Sequence, residues 1–139
     1  MRGWTIGGLL LLSLGAALAW AGGRPRPIED PVWSNDRSFV VEFAPEPAEV
    51  PLNERFSAEV GVFVRPEDDE LVSAMQLSVD ARMPQHRHGM RVEPTVTRIA
   101  DGRWRVEGLL LHMPGRWELY FDVTRGAVTE RAQMVLELE

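Results

Sequence analysis

The chain has 139 residues, enough for one domain with a real core and too few for two of ordinary size. Its 15 cationic side chains are all arginine and stand against 21 acids, a net charge of −6 with no basic tract, which argues against nucleic acid as a partner. The absence of cysteine removes disulfides, thiolate metal sites and cysteine nucleophiles together, so soft-metal chemistry falls to methionine sulfur and histidine nitrogen.

At the N-terminus, Arg2 precedes an apolar run from Trp4 to Trp20 that ends in the small-residue pattern Ala19-Trp20-Ala21. This reads as a signal peptide over residues 1–21, cut after Ala21. The run is also close to the ~20 residues that span a bilayer, so an uncleaved membrane anchor is the alternative. Either way the expected location of the folded part is periplasmic or otherwise extracytoplasmic. Residues 22–37, opening with Gly22-Gly23-Arg24-Pro25-Arg26-Pro27, read as an extended Pro/Gly-rich tether to a domain over 38–139.

From Ser38 onward the apolar residues recur at the period of strands, not helices. Expected strands are Ser38–Phe43, Phe56–Val64, Ala74–Arg82, Val92–Ile99, Arg103–Leu111, Arg116–Thr124 and Ala127–Leu138. The third and sixth alternate cleanly: Met75, Leu77 and Val79 against Gln76, Ser78 and Asp80, then Trp117, Leu119, Phe121 and Val123 against Glu118, Tyr120 and Asp122. Turn residues separate the strands, including Asp101-Gly102, Arg125-Gly126 and the acidic run Glu67-Asp68-Asp69-Glu70, which reads as a solvated turn. About seven strands without intervening helix imply an all-β fold, an immunoglobulin-like antiparallel β-sandwich, with an open barrel as the alternative. Trp104, Trp117, Phe121, Leu119, Val60, Val62, Leu77 and Val79 are the expected core.

Two short clusters stand out from this frame. Met83-Pro84-Gln85-His86-Arg87-His88-Gly89-Met90 holds two of the three histidines, and His112-Met113-Pro114-Gly115 holds the third. Two strands lie between them, so an antiparallel chain leaves one pole of the sandwich after the first cluster and returns to it at the second. If His86–Met90 is extended, His86, His88 and Met90 share one face and Arg87 points away. The candidate ligand set is therefore His86, His88, Met90, His112 and Met113, with Met83 as a further candidate. Imidazole with thioether suits copper, and neither cluster supplies the carboxylates or thiolates that calcium or structural zinc prefer. A second reading stays open: the imidazoles bond to backbone carbonyls at a polar corner, the methionines cap the core, and Arg82, Arg87 and Arg91 repel a cation.

The stretches Asp80-Ala81-Arg82-Met83-Pro84-Gln85-His86-Arg87-His88-Gly89-Met90, Pro94-Thr95-Val96, and Gly108 through His112-Met113-Pro114-Gly115-Arg116-Trp117-Glu118-Leu119 resemble the YtkA-like domain family, which is related to FixH-like proteins. The resemblance covers roughly residues 38–138. It implies a small secreted or membrane-tethered β-sandwich of the kind found beside copper handling, cytochrome oxidase assembly or other periplasmic redox systems. It further implies that the five candidate residues share a corner with copper ion as the favoured ligand.

The expected function is thus a non-catalytic accessory domain that binds copper and assists a periplasmic or membrane redox protein. The alternative is an interaction module of such a complex with no metal of its own. Enzymatic activity is not expected, because the chain has no Gly-x-Ser-x-Gly elbow, phosphate loop or His-Glu-x-x-His.

Overall fold

The computed structural model describes residues 27–65 and 73–139. The Trp4–Trp20 run and the Glu67–Glu70 turn lie outside these residues. Among the described residues no helix is long and apolar enough to cross a membrane.

Among the described residues nine strands form two antiparallel sheets. The first sheet has the order β1-β2-β3-β7-β6, with β1 at Val32–Trp33, β2 at Phe39–Glu46, β3 at Phe56–Val64, β7 at Arg103–Leu109 and β6 at Thr95–Ala100. The second has the order β5-β4-β8-β9, with β5 at His88–Gly89, β4 at Gln76–Met83, β8 at Gly115–Arg125 and β9 at Val128–Leu138. The chain changes sheets between β3 and β4, between β5 and β6, and between β7 and β8. This is the strand arrangement of an immunoglobulin-like sandwich, in which the first, second, fifth and fourth strands form one sheet and the third, sixth and seventh the other. An open barrel is ruled out by the two separate sheets.

The core lies between the sheets, built by the alternation visible in the sequence. Val41 and Phe43 of β2, Ala58, Val60 and Val62 of β3, and Trp104 and Val106 of β7 point inward from one side. Val79, Ala81 and Met83 of β4, Trp117, Leu119 and Phe121 of β8, and Met134 and Leu136 of β9 meet them from the other. Phe43 and Phe121 pack across the interface with ring centroids 5.7 Å apart at 52°. Each large side chain buried in this way contributes about 1.5–3 kcal/mol of transfer free energy. Of the expected core, only Leu77 is partly exposed, near the start of β4.

Two strands were not expected, β1 and β5, and both are two residues long, too short to produce a period-2 pattern. The first alters the tether. Ile28 N–H donates to Phe43 O at 3.2 Å, Val32 and Trp33 pair with Val41 and Val40, and Ser34 bridges to Ala132 of β9. Residues 28–34 therefore belong to the sandwich, and Ile28 and Val32 pack against its core.

Antiparallel pairing gathers the end of β2, the start of β3, the end of β4, the end of β7, the start of β8 and the end of β9 at one pole. The register fixes this: Glu46 pairs with Ser57, Phe56 with Leu109, Arg82 with Glu118 and Gly115 with Leu138. The β2–β3 loop reaches the same place, where Asn53 N–H donates to Leu111 O at 2.9 Å.

Candidate functional site

Both histidine clusters arrive at this pole. The first is not extended. Pro84–His86 forms one 3-10 turn, with Pro84 setting its first residue, and Arg87 ends it in the left-handed region at φ 56°, ψ 34°. His88 and Gly89 then pair back on Met83 and Arg82, so the cluster is the tip of a tight hairpin off β4. Proline at the start of the turn and a left-handed residue at its end convert the expected strand face into a reversal. The reversal still stacks the His86 and His88 rings, with centroids 5.8 Å apart and planes at 27°.

The second cluster meets the first through His88. The His88 and His112 rings lie 5.1 Å apart, and the indole of Trp117 stands edge-on to both, at 6.0 Å from His88 and 5.5 Å from His112. Trp117, one residue into β8 from Arg116, is fully buried, and its Nε1–H donates to Met113 O at 2.9 Å. The core residue expected at 117 is thus also the floor of the corner. The spacing His112-Met113-Pro114-Gly115-Arg116-Trp117 already held that signal, since a turn that reverses on Pro114-Gly115 brings position 117 back under position 113.

Polar satisfaction at the corner is incomplete. His88 Nε2 and His112 Nδ1 are both buried and have no hydrogen-bond partner among the described residues. His88 Nδ1 makes a long 3.4 Å contact with Gly89 O; when that nitrogen carries the proton, the lone pair falls on Nε2. A buried ring nitrogen without a partner costs about 1–3 kcal/mol, so each of the two calls for a partner such as an ordered water or an ion. Burial holds the His112 pKa below 6.5, and the nearby Arg91 and His88 charges act in the same direction, so its imidazole is neutral at pH 7.

The remaining candidates divide. Met90 and Met113 are partly buried and pack against the core beside the histidines, and Met90 N–H is held by Ala81 O at 3.0 Å. Met83 is fully buried within the core. His86 and Arg87 are exposed on the turn. Arg82 is drawn aside by Asp80, at 3.0 Å. His88 opens onto a groove of about 530 Å³ also lined by Arg87, Met90 and Tyr120, which gives the corner a path to solvent.

A family model described as YtkA-like matches residues 32–122, well over half of the chain. The chain belongs to the YtkA-like family. Among curated proteins none matches it. The match spans both clusters of this YtkA-like domain and begins at β1, consistent with the incorporation of Val32 into the sandwich.

The donor set of the YtkA-like corner is two imidazole nitrogens, on His88 and His112, with the thioethers of Met90 and Met113 nearby. Among the described residues no three His, Asp or Glu side chains are grouped so as to hold a metal ion. Such a set is poor for calcium or for four-coordinate zinc, and it suits a soft ion that accepts few ligands.

Proposed function

We propose that this YtkA-like protein is an exported, non-catalytic accessory domain that binds copper through His88 and His112, with Met90 and Met113 as the thioether candidates, in the service of a periplasmic or membrane redox protein. The supporting observation is the pair of buried, unpartnered ring nitrogens on His88 and His112, held in one ring-to-ring contact by two separate loops. Copper would supply a positive centre for those lone pairs and relieve the cost of burying them. The protein's own part is to orient the two rings, to disfavour the protonated form of His112 by burial, and to pack both rings against Trp117. His86, exposed and in contact only through its stack on His88, contributes less to the donor set.

Titrating the full-length chain with Cu(I) against a chromogenic chelator tests this. His88→Ala or His112→Ala should each weaken binding about a hundredfold or more, at or beyond the upper end of the ~10–100-fold typical of residues that only support a ligand. His86→Ala should weaken it far less. Affinity no tighter than about 1 μM, or affinity unchanged in both single variants, would overturn the assignment.

A further inference from the structure

The same pole carries a second feature, on the other side of the loop that ends at Asn53. A groove of about 720 Å³ runs between Ile28 and the end of β9. Its aliphatic lining is chiefly Ile28, Val50, Leu52 and Leu138, and Leu52 is 39% exposed. Among the described residues its charged lining consists of Glu29, Glu49, Glu137 and Glu139. All four are exposed, and none makes an ion pair among the described residues.

One wall is also an open sheet edge. β9 is the outermost strand of its sheet over 11 residues, and its free side meets the Ser34 bridge at Ala132 and Asn35 at Arg131. From Gln133 to Leu138 no other described strand pairs with that edge. Long edges are ordinarily blunted by charged side chains, above all lysine, by proline or by a bulge; from Gln133 to Leu138 this edge has no lysine, proline or bulge and one charge, Glu137. An unpaired edge beside apolar pockets is the geometry of strand addition, in which main-chain hydrogen bonds give affinity and alternate side chains give specificity.

We propose that this groove docks an extended segment of a partner protein, bearing alternating arginine or lysine and aliphatic side chains, that adds as a strand to Gln133–Leu138. The aliphatic side chains of the partner cover Leu52 and Leu138, and its cations face the four carboxylates. Rim charges of this kind act mainly on encounter rate and partner choice, and their effect falls with salt. Docking here brings the partner beside the histidine corner, because the Asn53–Leu111 hydrogen bond joins the neighbour of Leu52 to the neighbour of His112. The proposal does not rest on metal binding and is tested without metal.

The probe is a synthetic six-residue peptide of alternating arginine and valine, titrated into the isotope-labelled full-length chain and followed by amide NMR. Saturable shifts are expected at Val50–Asn53 and Gln133–Leu138, with slowed amide exchange on β9; the same peptide with glutamate for arginine should leave the spectrum unchanged. Glu49→Gln with Glu137→Gln should weaken binding roughly fivefold or more, while Asp36→Asn with Glu107→Gln, exposed acids outside the groove, should change it less than about twofold. Equal weakening by both pairs, shifts scattered over the surface, or no saturable binding would overturn the proposal. Tighter binding after Arg24→Ser with Arg26→Ser would also overturn it, by assigning the groove to this chain's own N-terminal segment.

Discussion

The indole N–H of Trp117 donates to the carbonyl of Met113 at 2.9 Å, four residues back along the chain. The bond ties the turn carrying His112 to a core side chain that also contacts both imidazoles. Trp117→Phe keeps an aromatic ring in the core and removes the donor. We expect a stability loss of about 1–3 kcal/mol from the lost volume and bond, and weaker Cu(I) binding. Trp104→Phe, in the opposite sheet, should lose comparable stability and leave Cu(I) binding unchanged. In the metal-free protein, magnetisation transfer between the His88 and His112 rings should fade in the first variant only. Equal effects of the two substitutions on the histidine contact would reduce Trp117 to a general core residue.

A buried polar node joins the two sheets at Ser34. Its hydroxyl donates to Glu130 Oε2 at 3.0 Å and accepts from the backbone N–H of Ser38 and Phe39, while Arg125 holds the other Glu130 oxygen at 3.2 Å. Both Ser34 and Glu130 are buried. Ser34→Ala leaves one carboxylate oxygen and two amides short of a partner, so a loss of about 1–3 kcal/mol is expected in denaturant unfolding. The double variant Ser34→Ala with Glu130→Met removes the buried charge as well and should cost less than the sum of the two single changes.

This node was invisible in the sequence, and the reason is general to the chain. The longer strands other than β6 could be read because each repeats its apolar residues at least twice at period two, and β3, Phe56–Val64, has the expected bounds. Strand parity then carried His112 to His88 without any knowledge of which sheet each strand joins. Ser34 and Glu130 are 96 residues apart and belong to no pattern, so their contact depends on how the sheets stack. The shared face of His86, His88 and Met90 was conditional on an extended backbone, and that condition is not met over His86–Arg87, because Pro84 and the left-handed Arg87 make a turn instead. Likewise the proline content around residue 27 hid the short pairing of β1, whose hydrogen bonds require partners on β2.

Tyr120 offers a pH test on the outer face of the second sheet. Its hydroxyl donates to Glu118 Oε2 at 2.6 Å, and the Arg131 guanidinium lies 4.5 Å over the ring. The hydrogen bond to Glu118 raises the phenol pKa above 10.0, helped by burial and the Glu118 charge and opposed by Arg131 and Arg82. A phenol with a raised folded pKa contributes stability that is fully present below pH 10.0 and is lost as pH rises through the folded value. Because Tyr120 is the only tyrosine, the tyrosinate absorbance band reports it alone. Its midpoint should lie above 10.0 in the native protein and fall in Glu118→Gln. A native midpoint at or below that of the variant would refute this account.

Gly115 opens β8 between the His112-Met113 turn and Trp117, at φ 112°, where side chains are strained. A Cβ there would also lie 3.1 Å from the Met83 terminal methyl. Gly126, in the β8–β9 turn, has φ 58° and open space around it. Alanine fits that left-handed well at about 1–2 kcal/mol, whereas at Gly115 the backbone conformation and the methionine contact act together. Gly115→Ala should therefore destabilise more than Gly126→Ala in denaturant unfolding at unchanged m-value. Met83 can swing its methyl aside, so Gly115→Ala with Met83→Leu should recover little: most of the cost resides in φ. Recovery to the level of Gly126→Ala would instead locate the cost in the methyl contact and leave the turn before Trp117 tolerant of a side chain.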